Sequence, residues 1–328
     1  MEHGSLTISF TNNQAEEAYV VELMAEKGLI DSRLRLMMKR YYAACHETMY
    51  DSRTVVVRDA AGPILLMPMV MYEKKLSYFN QPAAPVYLAR LEEMERCEAY
   101  SAACSFIVGY CKKAGVGLSI ARPSSRIHAD GLEDWEVKLL QAGGRQIQNY
   151  HGYVVLDSGE VSLYRQMRRS YRSLVNWGRR EMRITFLDSN YADPDLFESF
   201  RLFHLEIAGR VTRPIASWAV MFDLIIQGKA ILGLGFLGND LVAATYFFCH
   251  DGLAIYGTGV YERGLFDKPI SHWPLFATMS RAAECGARLC DLGIVFTRPQ
   301  ASAKERNIAF FKKGFTDFVI CLLYTSPS

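Results

Sequence analysis

The order of helical and strand-forming segments repeats at about 150 residues, the usual size of one domain, and this repeat limits the available folds more than any single motif. In the first round, hydrophobic periodicity reads as helices over 15–27 and 32–46, then RTVVVRD, a turn at Ala61-Gly62, and PILLMPMVMY as the second arm of a hairpin. KKLSYFNQPAAPVYL, a long helix over 91–114, the buried strand GLSIA, a helix near 132–141 and the strand NYHGYVVLD complete it. The second round runs RITFLD, helices over 195–208 and 217–227, then the strands KAILGLGFLG, DLVAATYFFCH and GLAIYGTGVY. It closes with a helix over 273–285, RLCDLGI, a helix over 305–312 and FTDFVI. Both rounds set helices before an antiparallel meander and end on a helix and a further strand. The pattern predicts an α/β protein of two domains, 1–157 and 158–320, with no residue identity between the repeats.

Between the rounds lies a basic segment. On a helix turning about 100° per residue, Arg165, Arg168, Arg169, Arg172, Arg179, Arg180 and Arg183 fall within an arc of roughly 120°. Leu163, Tyr164, Met167, Tyr171, Leu174, Val175 and Met182 occupy the other side, so one amphipathic helix with an arginine face is expected through 183. Solvated faces usually interleave acids four residues from the bases, and the only nearby acid read here, Glu181, points to the far side. Guanidinium forks suit phosphate, which sets a phosphorylated ligand against the plainer reading of a surface helix with surplus charge.

The net charge of the 328 residues is only +2, so the arginines are a local feature and charge balance implies no DNA partner. Eight cysteines show no C-x-x-C pair and sit in apolar patterns, as expected of buried thiols in a reducing compartment. No run approaches ~18 apolar residues and the N-terminus lacks a leader pattern, which together predict a cytoplasmic protein.

Gly233-Leu234-Gly235-Phe236-Leu237-Gly238 satisfies G-x-G-x-x-G, but another alternating strand follows it where a dinucleotide site needs a helix; a hairpin turn is expected. The dispersed histidines offer no metal-ligand spacing. His204 and His272 read as packed or capping histidines or as catalytic bases, and the sequence does not rank these. Arg210 and Arg213 follow a helix end in R-V-T-R-P and serve either its carbonyl pole or a substrate. In F-F-K-K-G-F, Lys312 and Lys313 end a helix for which Gly314 is the expected left-handed cap, and a lysine beside Phe311 suits either snorkelling or a reacting carbonyl.

From Tyr164 to Phe315 the chain resembles the FemAB-like aminoacyltransferases that build peptidoglycan cross-bridges, together with the CelD/BioF-like acyltransferases. The resemblance is carried by RQMRRSYRSLVNWGRR, F-x-x-x-H-L-E-I-A-G-R-V-T-R-P, A-I-Y-G-T-G-V-Y, G-A-R-L-C-D-L-G and A-F-F-K-K-G-F, in that order and spacing. It implies tandem GNAT-like domains, with mixed, mainly antiparallel sheets flanked by helices, the first more diverged and the second holding the site. It implies an N-acyltransferase that moves an acyl or aminoacyl group from acyl-CoA or aminoacyl-tRNA, as co-substrate, to an amine on a cell-envelope peptidoglycan or polysaccharide precursor. Its acceptor would be a small or lipid-linked glycoconjugate, with a tRNA acceptor end and a membrane surface as further partners and no resident cofactor or metal.

In that reading Lys312, Phe311 and His204 are catalytic. Arg210, Arg213, Tyr256, His272 and Arg298 bind substrate, and Arg165, Arg169, Arg172 and Arg179 bind phosphate. A non-catalytic module for a nucleotide-linked sugar or a partner protein is the alternative. The chain departs from the pattern in lacking a long helical-hairpin arm, and Tyr261–Phe266 does not match the R/Q-x-x-G-x-G/A pyrophosphate loop of acetyl-CoA enzymes. The ending CLLYTSPS looks like translated adapter DNA, so 321–328 are expected to be a non-native tail.

Overall fold

The computed structural model describes residues 6–11, 15, 16, 19, 37, 40–45, 51–72, 74–82, 85–121, 137, 140, 141, 144–156, 159–250, 252–297, 299 and 301–327. The helices expected over 15–27, 32–46 and 132–141 lie mostly outside these residues, as does Arg298. The chain divides into two compact units, Met1–Asn149 with Leu322–Ser328, and Tyr150–Cys321. The sequence placed the boundary at 157/158, after the NYHGYVVLD strand; most of that strand belongs instead with the second unit, because it pairs there.

In the first unit β1 (Thr7–Phe10), β3 (Val55–Asp59), β4 (Gly62–Met67) and β7 (Val86–Tyr87) form an antiparallel sheet in the order β1-β3-β4-β7. The β3–β4 turn closes as the sequence predicts, with the Asp59 carboxylate accepting from the amides of Ala61 (2.7 Å) and Gly62 (3.0 Å). A second set runs β8 (Gly117–Ala121), β6 (Lys75–Pro82), β5 (Val70–Tyr72), β2 (Asp51–Ser52). Helix α1 (Glu93–Ala114) starts at a reciprocal capping box between Glu92 and Glu95 and stops at Gly115. Its Ala99, Tyr100, Ala103, Cys104, Ile107 and Cys111, spaced at helical intervals, pack on Val55, Val57, Leu65 and Met67. Tyr324 and Thr325, in the segment expected as a non-native tail, pair antiparallel with Ala121 and Ile120 of β8.

The second unit carries β9 (Gly144–Val155), β10 (Arg183–Leu187), β11 (Ala230–Leu237), β12 (Asp240–His250), β13 (Leu253–Tyr261) and β14 (Leu289–Phe296) in the order β10-β11-β12-β13-β14-β9. All neighbours are antiparallel except β13 and β14, which are parallel. Residues 230–236 of β11 and 242–248 of β12 are buried throughout, because helices cover both faces. Leu237 pairs with Asp240 around Gly238-Asn239, so the G-x-G-x-x-G string is the predicted hairpin.

Helices α2 (Gly159–Gln166), α3 (Arg169–Glu181) and α6 (His272–Glu284) pack on the face that carries Phe247. Helices α4 (Pro194–Ala208) and α5 (Ile215–Ile226) pack on the opposite face, where Phe200 stacks on Tyr246 and the Tyr246 hydroxyl donates to the Met221 carbonyl at 2.9 Å. Helix α7 (Ala303–Lys313) starts at a Ser302–Glu305 capping box and leads into β15 (Phe318–Pro327).

The continuous arginine helix expected through 183 is broken. Arg168 is extended (φ −50°, ψ 135°), and its amide donates 2.7 Å to the carbonyl of Gly314, not to the preceding turn. That long-range bond ends α2 and restarts the helix at Arg169, so the seven arginines do not share one face.

Candidate active site

Strands β13 and β14 pair only over Leu253–Ile255 and Leu289–Asp291. Beyond Ile255 and Asp291 both strands continue, β13 along β12 and β14 along β9. They therefore part, and their facing backbone edges share no ladder over this stretch. A shift of register at Gly257 bends β13 where the gap begins. Such an opening can take an extended, amide-bearing chain by strand-like hydrogen bonding.

Tyr256 of β13 and the C-terminus of α7 meet at this opening, where the Lys312 ammonium lies 5.0 Å from the centroid of the Tyr256 ring. Burial pulls the Lys312 pKa below the ordinary lysine value, while the Asp291 carboxylate and the Cys290 thiol push it back up. The Tyr256 hydroxyl is 3.4 Å from that of Tyr261, which is 3.5 Å from Thr245 Oγ1. Burial, then Tyr261, raises the Tyr256 pKa well above the ordinary phenol value, so this group stays protonated.

Aromatic rings wall the same face. His272, at the start of α6, sits edge-on to Tyr171 (4.6 Å, 90°) and Phe311 (5.2 Å, 82°). Burial lowers its pKa to about 4 against a smaller opposing effect of the Pro269 carbonyl, which leaves a neutral imidazole. Phe311 and Phe315 pack together and on Tyr171. Gly314 is not the left-handed cap the sequence predicts: its φ and ψ are −70° and −14°. The glycine is required because a Cβ there would lie 2.0 Å from the Tyr171 ring. Lys313, one residue on, turns its ammonium over Phe296 at 3.8 Å.

Lys312, Phe311, Tyr256 and His272 thus come together. His204 and Arg213 do not join them. Phe247 pairs with Tyr256 but Tyr246 pairs with Thr258, so Tyr256 and Thr258 face opposite sides of the sheet. Arg213 donates to Thr258 Oγ1 (3.2 Å) and lies 4.8 Å over Trp218, on the α4–α5 side. His204 sits edge-on to Trp218 (5.2 Å) and 3.5 Å from the Thr212 hydroxyl. Burial, then Arg213, lowers its pKa to about 4, the signature of a packed histidine. Arg210 is exposed beyond Gly209, which ends α4.

The arginines expected to hold phosphate separate in the same way. Arg179 pairs with Glu160 of the preceding helix, so Glu181 is not the only acid near the arginines, and the Arg179 guanidinium lies over Trp273 at 4.8 Å. Arg183 covers Phe236 at 4.2 Å. Arg165 and Arg169 are exposed at the break between α2 and α3, and Arg172 is half-buried beside them, its Nη2 3.4 Å from the Arg165 carbonyl. Arg168, in the break, covers Phe310 at 4.2 Å. In the loop after β13, Glu262 accepts from the Gly264 amide at 2.9 Å, so a carboxylate already engages that amide.

Asp291 and His151 were not singled out from the sequence. His151 Nδ1 lies 3.1 and 3.2 Å from the two carboxylate oxygens of Asp291, which is 8 % exposed. Their adjacency arises from the β9–β14 pairing of distant segments, which local periodicity does not register.

No family model and no curated protein sequence matches the chain. Solved structures match its fold. A crystal structure of FemX aligns at TM-score 0.60 with 14% identity, covering 87% of this chain and 90% of that one. A tandem GNAT protein from the clavulanic acid biosynthesis pathway aligns at TM-score 0.57 with 11% identity, covering 98% of each chain. The C-terminal domain of a putative lysylphosphatidylglycerol synthetase from Agrobacterium fabrum aligns at 0.56 with 12% identity, covering 89% and 91%. With its mixed, mainly antiparallel sheets flanked by helices, the chain has the tandem GNAT-like fold shared by FemX and these proteins.

Proposed function

We propose that the second unit is an N-acyltransferase whose reaction centre lies where β13 and β14 part. The observation that carries this reading is the Lys312 ammonium over Tyr256 at that opening, within an aromatic wall that excludes water. The donor's acyl group enters the gap as an ester or thioester. The acceptor amine, in its neutral form, attacks the acyl carbon; a C–N bond forms, the carbonyl electron pair moves to oxygen, and the C–O or C–S bond then breaks. The excess amine proton passes to the leaving oxygen or sulfur, directly or through water.

An activated acyl group needs little more than orientation and a charge for its oxyanion, and Lys312 supplies that charge in a setting where it acts strongly. Tyr256, protonated throughout the neutral range, is a second donor beside it. His272, caged by rings and neutral, shapes the acceptor side of the wall and does not carry charge. Arg165, Arg169 and Arg172 provide the polyanion contact, with Arg179 held in reserve by Glu160.

The acceptor is an amine on a cell-envelope precursor, a peptidoglycan or polysaccharide unit, small or lipid-linked. The donor is aminoacyl-tRNA or acyl-CoA, and the Glu262 carboxylate in the loop after β13 favours the donor that brings no pyrophosphate there. The similarity to the C-terminal domain of a putative lysylphosphatidylglycerol synthetase from Agrobacterium fabrum suits an aminoacyl donor. His204 and Arg213 support β13 from behind. Intact-mass measurement of amine acceptors incubated with the protein and either donor tests the reading. A mass gain of one acyl group that depends on Lys312 is expected, and no gain with either donor would leave the non-catalytic binding module as the better account.

A further inference from the structure

Asp291 closes the paired stretch of β14, and its buried carboxylate is engaged on two sides. Oδ1 accepts from the Gly293 amide at 2.6 Å, and both oxygens face His151 Nδ1. The first bond holds Gly293 at φ +76°, a left-handed turn, and the β14–β9 register shifts between Asp291 and Ile294. That turn shapes the surface on which Lys312 rests: a Cβ on Gly293 would lie 3.3 Å from Nζ.

An asparagine would make the same turn, since only one acceptor oxygen is needed. The turn leaves the negative charge unexplained, and burying a carboxylate is costly without a partner for that charge. His151, 3.1 Å away, is one partner, and the Lys312 ammonium, on which the carboxylate acts, is a second. Tyr256 meets the ammonium from β13, and burial raises that phenol's pKa; Cys290 meets it from β14, and burial raises that thiol's pKa; Lys313, the next cation on α7, turns to Phe296. Asp291 is the formal negative charge among these described neighbours, and its field reaches Lys312.

We propose that Asp291 is the positioning residue for Lys312: held in one orientation by His151, it fixes the Gly293 turn that makes room for the ammonium and supplies the counter-charge that keeps it protonated. This rests on the acyl-transfer reading only for its purpose, the stabilisation of the oxyanion by the Lys312 charge.

The test uses the full chain and no substrate. Competitive labelling with acetic anhydride from pH 7 to 11, read by mass spectrometry on the peptide that contains Lys312, gives the pH at which that amine becomes half reactive. Asp291→Asn is expected to lower this pH by about one unit, as loss of an opposite charge does, and to leave the value for Lys313 unmoved. An unchanged Lys312 value overturns the proposal. Should Asp291→Asn weaken the fold, a double-mutant cycle with Lys312→Met decides: the proposal expects a smaller stability loss when the lysine is absent, and equal losses in the two backgrounds overturn it. A lowered Lys312 value together with no acyl transfer from either donor would sink the acyl-transfer reading and leave the positioning role standing.

Discussion

The Lys312 ammonium stands 5.0 Å above the Tyr256 ring, while that of its neighbour Lys313 stands 3.8 Å over Phe296. One residue's step of about 100° at the end of α7 thus sends two identical side chains to different places. Lys312→Met is expected to lower turnover by about a hundredfold with little change in the Michaelis constant, and Lys313→Met to be nearly silent. Steady-state rates with the donor that proves active check this. Equal effects in the two variants, or an effect on the Michaelis constant alone, would move both lysines to phosphate binding.

Gly314→Ala should destabilise the second unit by about 1–3 kcal/mol, because the new methyl overlaps the Tyr171 ring and both backbones are fixed by the Arg168–Gly314 hydrogen bond. Urea unfolding measures the loss. In a Tyr171→Ala background the same substitution should cost much less, and an undiminished cost there would rule out the steric explanation.

Stability should fall in acid through His204 and His272. Both are held neutral in the fold, with pKa values near about 4, whereas the unfolded chain takes up these protons at about 6.5. Above that pH neither group affects folding; as pH drops from about 6.5 to about 4 the unfolded state binds protons that the folded state refuses, costing at most about 1.4 kcal/mol per pH unit for each group. Urea midpoints at pH 7.5 and 5 should differ less in the His204→Phe, His272→Phe double variant than in the unaltered protein. An identical acid loss in the two would show that other groups cause it.

Arg165→Glu with Arg169→Glu should weaken binding of tripolyphosphate steeply and flatten its salt dependence while leaving the melting temperature nearly unchanged, since both side chains are exposed. Arg179→Ala should leave that affinity intact, because its guanidinium is already paired with Glu160 and stacked on Trp273. Calorimetric titration distinguishes the two outcomes, and a larger loss in Arg179→Ala would reverse the assignment.

Much of the second unit was legible from residue order alone. Alternation and turn chemistry placed the β11–β12 hairpin at Gly238-Asn239, and periodicity placed α4 to α7 to within a few residues. The helical wheel separated Lys312 from Lys313 by about 100°, and the structure sends them to different rings. These features depend on neighbours within one turn or one hairpin, which a linear pattern records.

What tertiary structure decided involves partners far apart in the chain. The basic segment reads as one helix until the Gly314 carbonyl captures the Arg168 amide, and no local signal announces that bond. Gly314 looks like a helix cap by position, yet the approach of Tyr171 dictates it. Glu160 removes Arg179 from the arginine face across two helices, and the β12–β13 pairing sends Tyr256 and Thr258 to opposite sides, parting His204 and Arg213 from Lys312. Asp291 meets His151 because β14 lies beside β9. Local periodicity specifies which elements form and which face each one buries; which side chains then share a site follows from sheet order and register, set by packing energies summed over the whole unit.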